Sequence, residues 1–315
     1  MVDAKMLNTM TSAPGFIAAL DQSGGSTPKA LSLYGISESD YQSEDDMFRL
    51  MHAMRVRIMK APAFTGDKVI GAILFERTMD GDVDGQPVPS YLWEKRGVVP
   101  FLKIDKGLLD EDNGVQLMKP MPDLDALLVR GRDKGIFGTK MRSVIAQADK
   151  AGIAAVVKQQ FEVARQIIAQ GLMPIVEPEV SIKSPTKVEA EAILRDEILN
   201  ALDKLPAGEK VMLKLTIPTT ADFYAPLVAH KSVVRLVALS GGYSSADACE
   251  KLSHNHGMIA SFSRALTEKL QVTMSDAEFN ASLAKTIDQI CAASVVKVDA
   301  IRDVDAAKSH KVAVA

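Results

Sequence analysis

A lysine at the centre of an apolar run, "VMLKLTIP" at 211–218, is the most chemically pointed feature of this 315-residue chain. Alternating branched and apolar residues ending in proline have the pattern of a buried strand. A buried ammonium is costly, so Lys214 must reach water, pair with a carboxylate, or give up its proton and act as a nucleophile. Two more amines, Lys103 and Lys140, stand in comparable runs, "FLKID" and "FGTKMR". If these strands converge, like charge and partial desolvation favour a neutral amine. Such an amine attacks a ketone, and the iminium that results draws electrons from the bond beta to it until that bond breaks.

That chemistry needs groups that carry protons. "EPE" at 177–179 offers two. Glu177 and Glu179 share one strand face unless Pro178 breaks the alternation. Close carboxylates hold a proton between them, which suits acid–base work, although the pair equally suits plain neutralisation of Lys140, Arg142 and Lys214. Anion binding has its own pattern in "LSGGYS" at 239–244. Gly241 and Gly242 let backbone amides approach a phosphate, Ser240 adds a hydroxyl, and Arg264 of "SFSRAL" can fork two oxygens.

The elements that must position these residues are legible as eight short β-branched runs, at 16–21, 69–76, 98–105, 136–142, 172–180, 211–217, 233–242 and 258–264. Helical periodicity fills the gaps, most clearly at 156–171, 187–205 and 275–294, and Gly171 stops the first of these. Strands alternating with helices require a parallel sheet, and eight of them predict a closed (β/α)8 TIM barrel over residues 1–294, with 295–315 as a tail. No glycine-rich dinucleotide fingerprint follows the first strand. Each run is apolar at its start and polar at its end: Asp21, Glu76, Lys103 with Asp105, Lys140 with Arg142, Glu177 with Glu179, Lys214, Ser240, and Ser263 with Arg264. In such barrels that end carries the active site, and its lysines and arginines suit a polyanionic substrate.

The bulk numbers agree. An apolar share of 47% and a charged share of 24% describe a globular chain, and a net charge of −3 argues against general nucleic-acid binding. Cys249 and Cys291 lack metal-type spacing and read as reduced packing residues. The longest apolar run near the N-terminus, "FIAAL", is cut by Asp21, so the reading is a cytoplasmic protein with no leader and no membrane span. "DGDVDG" at 80–85 opens like a calcium loop, but its twelfth position is Tyr91 and Pro87 and Pro89 interrupt it. His254 and His256 form the only close histidine pair, too few ligands for a catalytic zinc.

With these blocks in order, "ALDQSGGS", "GAILFE", "FLKIDKG", "NGVQLMKP", "FGTKMRS", "PIVEPEV", "MLKLTIP", "LSGGYS" and "SFSRAL", the chain resembles the class I, Schiff-base-forming fructose-bisphosphate aldolases, in their short bacterial type, over about 16–294. The resemblance implies reversible cleavage of fructose 1,6-bisphosphate to dihydroxyacetone phosphate and glyceraldehyde 3-phosphate, as in glycolysis, with no metal and no organic cofactor. It implies that Lys214 forms the iminium, that Glu177 is the acid–base carboxylate, and that Glu179 orients and discharges the lysines. Asp21 is then placed to manage the C4 hydroxyl. Lys140 and Arg142 match the pair lining the cleavage site, and Lys103 the third-strand lysine. Ser240, Gly241, Gly242 and Arg264 match the C1 phosphate site, with Ser261 or Ser263 in the serine role beside it. Ser26 and Lys29 of "GGSTPK" match the second phosphate site, where Ala30 replaces an arginine of the animal enzymes. A related lyase for tagatose 1,6-bisphosphate and a non-catalytic anion-binding barrel remain as alternatives. The animal family ends in a tyrosine used in catalysis; here 303–315 reads "DVDAAKSHKVAVA", which is expected to be a loosely held tail.

Overall fold

The structure is a computed structural model and describes residues 2–299. Eight strands, β1 (Phe16–Leu20), β2 (Val69–Leu74), β3 (Val99–Lys103), β4 (Gly138–Ile145), β5 (Met173–Val180), β6 (Val211–Thr216), β7 (Val233–Leu239) and β8 (Met258–Ala260), pair in chain order. Each runs parallel to the next. A backbone bond from Ala19 N–H to the Phe262 carbonyl, 3.1 Å, brings the last strand's end back to the first. The result is the eight-stranded (β/α) barrel expected from the alternation of strands and helices.

Two apolar layers follow from the two faces of each strand. Ile17, Ala19, Ile73, Phe101, Ile175, Met212, Val237 and Ile259 fill the barrel's interior, and helix α1 (Ala4–Ser12) closes its lower mouth with Met6 and Met10. Arg235 on β7 ties that plug down by donating to the carbonyls of Met10 and Ala13. The other face of each strand packs outward against the helices, among them α2 (Ser26–Leu33), α3 (Glu44–Lys60), α4 (Leu124–Asp133), α5 (Lys150–Ala169), α6 (Lys187–Asp203), α7 (Ser245–Ser253) and α8 (Asp276–Val295).

Strict alternation then decides where each polar strand end points. Ile17 and Ala19 face inward, so Asp21 does; Phe101 faces inward, so Lys103 and Asp105 do; Met212 faces inward, so Lys214 does. Met173 and Ile175 set the same rule for Glu177 and Glu179. Pro178 does not break it, because the β4–β5 register runs through Ser143↔Pro178 to Ile145↔Val180 without a shift. Odd-numbered residues at both ends of β5 donate towards β4, from Met173 to Phe137 and from Ser181 to Ile145. Pro174 and Pro178 therefore lack the donors that would face β6, and the β5–β6 ladder shrinks to Ile175↔Met212 and Val176↔Leu213. The two strands part where Glu177 and Lys214 meet.

Several boundaries differ from the sequence reading. Helix α5 begins at Lys150 and not 156, because Asp149 caps it through the Gly152 N–H; Gly171, at φ +77°, follows its end. Strand β7 stops at Leu239, since Gly241 and Gly242 take φ +57° and +114°. Strand β8 stops at Ala260, and Arg264 opens a short helix, Arg264–Thr267. Beyond α8, the Lys297 ammonium donates to the carbonyls of Leu252, Met258 and Ala293, so the expected tail is docked at its root. The remainder of that tail, 300–315, lies outside the described residues.

Candidate active site

The inward strand ends build a buried ionic cluster at the upper mouth of the barrel. Lys140 Nζ lies 2.8 Å from Asp21 Oδ2 and 2.8 Å from Glu177 Oε2. Glu177 turns its other oxygen, Oε1, to Lys214 Nζ at 3.1 Å. All four side chains are buried, Lys214 at 4% exposure. One carboxylate thus bridges two amines. The backbone beneath the bridge is held by α5: the Glu177 N–H donates to Gln160 Oε1 at 2.8 Å.

Neighbouring carboxylates fix the charge of Lys140. Burial alone would lower the Lys140 amine, but Asp21 and Glu177, with Asp105 behind them, outweigh it and hold it above the ordinary lysine range. Burial alone would likewise raise the Asp21 carboxyl, yet Lys140 and Lys214 hold it well below the usual carboxylate range. Lys140 is therefore a fixed ammonium. Lys214 has a single ion-pair carboxylate among the described residues, and that one is shared. Interleaved carboxylates separate Lys140 from Lys214, the amine expected to act as the nucleophile.

A second tier surrounds the cluster. Lys103 pairs with Asp105 at 2.7 Å, and Arg142 is clamped by Glu179; burial alone would lower its guanidinium, but the Glu179 carboxylate outweighs it and leaves it above its ordinary range. Among the described residues the ion-pair partner of Glu179 is Arg142. These residues, with Ser26, Ser240, Gly241, Ser261 and Ser263, line one cavity of about 480 Å3. An adjoining cavity of about 410 Å3 shares Ser26, Arg142, Ser240 and Ser263 with it and adds Lys29, Gly242 and Arg264. The predicted phosphate residues therefore fall on a continuous cleft. At its rim Arg264 Nη2 donates to the carbonyls of Gly242 and Tyr243. Ile182 packs on the glycine turn, and a Cβ at Gly241 would come within 2.8 Å of its Cγ2.

Glu76 is not part of this site. It opens a short helix after β2 and pairs with Lys106 and Arg130. The rejected motifs are likewise absorbed locally: Asp84 pairs with Lys60, and His256 with Asp222. Three residues that matter were not picked out from sequence. Gln22 reaches Ser263 Oγ at 2.7 Å, Arg55 stands buried behind it, and Gln160 carries no local signal at all. Only Gln22 had a cue, its place directly after Asp21.

The family model for class-I fructose-bisphosphate aldolase matches residues 4–221. The chain is 57% identical over 291 residues to the fructose-bisphosphate aldolase class 1 of a Synechocystis strain, covering 92% of this chain and 97% of that protein. Its identity to the protein of the same name from Porphyromonas gingivalis is 55% over 294 residues, covering 93% and 100%. Among solved structures, a fructose-bisphosphate aldolase from Plasmodium falciparum, determined in complex with TRAP and a small-molecule inhibitor, superposes with a TM-score of 0.74. That likeness spans 94% of this chain and 97% of the other at 20% sequence identity, and it speaks for the fold.

Proposed function

The chain belongs to the class-I fructose-bisphosphate aldolase family, and from that premise we propose how its own residues cleave fructose 1,6-bisphosphate. The observation that carries the reading is the Glu177 bridge between a fixed ammonium, Lys140, and a singly paired amine, Lys214. Lys214, as the neutral amine, attacks the C2 ketone. Glu177, having taken the proton that frees the Lys214 amine, hands it to the departing hydroxyl, water leaves, and the iminium forms. Asp21, ionised beside Lys140, takes the C4 hydroxyl proton as the C3–C4 bond breaks. Glyceraldehyde 3-phosphate departs and an enamine remains on Lys214. The proton gathered by Asp21 is released to water in the cavity, Glu177 takes one up and delivers it to C3, and hydrolysis of the new iminium frees dihydroxyacetone phosphate and restores the amine.

Lys140 stays charged throughout and steadies the oxygen anions that develop near it. Arg142, held by Glu179, and Lys103, held by Asp105, line the same cavity and balance the substrate's charge. Ser240, the Gly241–Gly242 turn and Arg264 take the C1 phosphate, while Ser26 and Lys29 face the second. The Ser263 hydroxyl is engaged by Gln22, whereas the Ser261 hydroxyl lies buried at the cavity with no partner among the described residues. That difference supports Ser261 for the serine role beside the reacting carbons.

No described helix is long and apolar enough to cross a membrane, and both cysteines are free. Free thiols support a reducing, cytoplasmic setting. Steady-state comparison tests the substrate. Fructose 1,6-bisphosphate should exceed tagatose 1,6-bisphosphate in kcat/KM by at least about tenfold, or roughly 1.4 kcal/mol in barrier, with or without a metal chelator. Equal or reversed preference would move the protein to the tagatose reading. Loss of activity in chelator would remove the iminium mechanism.

A further inference from the structure

The barrel has a seam. Strands β1 and β8 have no paired register among the described residues, and one backbone bond, Ala19 N–H to the Phe262 carbonyl, crosses between them. On the site side of that bond Gln22 Nε2 donates to Ser263 Oγ at 2.7 Å, joining positions 241 residues apart. Behind Gln22 stands Arg55, from the middle of α3, 1% exposed and the largest of the fully buried side chains. Its Nη2 donates to the Gln22 carbonyl at 2.6 Å and to Gln22 Oε1 at 3.3 Å; its Nη1 donates to Thr78 Oγ1 at 2.6 Å.

Every one of those acceptors is neutral, and Arg55 Nε has none among the described residues. Burying a guanidinium among neutral partners is expensive, and packing alone would be better served by Met or Leu. Burial pushes the guanidinium down to about 10, and the nearby Asp21 carboxylate pulls the other way. The charge sits one residue from the carboxylate that the cleavage step uses.

We propose that Arg55 is a positioning residue: by pinning the backbone and side chain of Gln22 to Thr78, it closes the β1–β8 seam on the site side and fixes Asp21 against the C4 end of the substrate. It touches no substrate itself. The proposal rests on the reading of Asp21 given above. It separates two reactions of one site. Cleavage needs Asp21, whereas exchange of the C3 proton of dihydroxyacetone phosphate with solvent needs Lys214 and Glu177 and involves no C4 hydroxyl.

Arg55→Met should therefore lower kcat for bisphosphate cleavage by about tenfold or more while proton exchange stays within about threefold of the parent. Arg55→Lys should recover part of the loss, since one ammonium can reach Gln22 or Thr78 but cannot fork both. Thr78→Val, which removes a single anchor, should give a smaller loss confined to cleavage, and it carries the test if Arg55→Met does not fold. A parallel fall of both reactions in the folded variants, or no change in either, would overturn the proposal. Asp21→Asn, measured alongside, keeps the two readings apart: if it spares cleavage, the role of Asp21 fails irrespective of Arg55.

Discussion

Lys214→Met should lose bisphosphate cleavage by at least about 10⁴-fold, the scale on which loss of a covalent nucleophile is felt. The substitution nearly preserves length and volume. It removes one amine from a cluster in which Glu177 still has Lys140 at 2.8 Å, so no carboxylate is left without a cation and the fold should survive. Binding of the phosphate groups rests on other strands and should persist. Lys140→Met is the informative contrast: it strips both Asp21 and Glu177 of their shared ammonium, and stability should fall along with activity. Turnover by Lys214→Met within tenfold of the parent, measured by coupled assay of triose phosphate release, would assign the covalent step elsewhere.

The second large effect is expected at Glu177. Glu177→Gln keeps the shape and one acceptor oxygen but removes the transferable proton. Turnover should fall by roughly 10²- to 10⁴-fold, the range of general acid–base groups, with binding of ketose phosphate largely retained. Proton exchange at C3 should fall in step, because the same carboxyl serves iminium formation and enamine protonation. Rapid exchange in the variant would place that proton on another group, with Asp21 and Glu179 as the candidates. The structure already disfavours Glu179, which is committed to Arg142.

The barrel and its inner cluster were legible because both rest on strand periodicity. A polar residue two steps beyond an inward apolar residue must itself point inward, as Asp21 does after Ala19 and Lys214 after Met212. The two glutamates obeyed the same rule in spite of Pro178. Its missing donor cost a bond to β6 and not the pleat, and the parting of β5 from β6 is what the site uses. The exact strand ends were less legible, since they depend on positive φ at Gly241 and Gly242 and on the cap at Asp149. Least legible were contacts made by helices. Arg55 and Gln160 lie on α3 and α5 among ordinary polar residues, and nothing in their spacing says that one reaches Gln22 and the other the Glu177 N–H. Pairings such as Gln22 with Ser263 exist only once the barrel has curled through a full turn.

The central claim is that Lys214, and not its neighbour Lys140, bonds covalently to the substrate. Borohydride reduction in the presence of dihydroxyacetone phosphate, followed by peptide mass mapping, addresses it most directly. The account predicts irreversible inactivation with the added mass on the peptide containing Lys214, and no trapping in Lys214→Met. Label on Lys140 in the unchanged enzyme would contradict it.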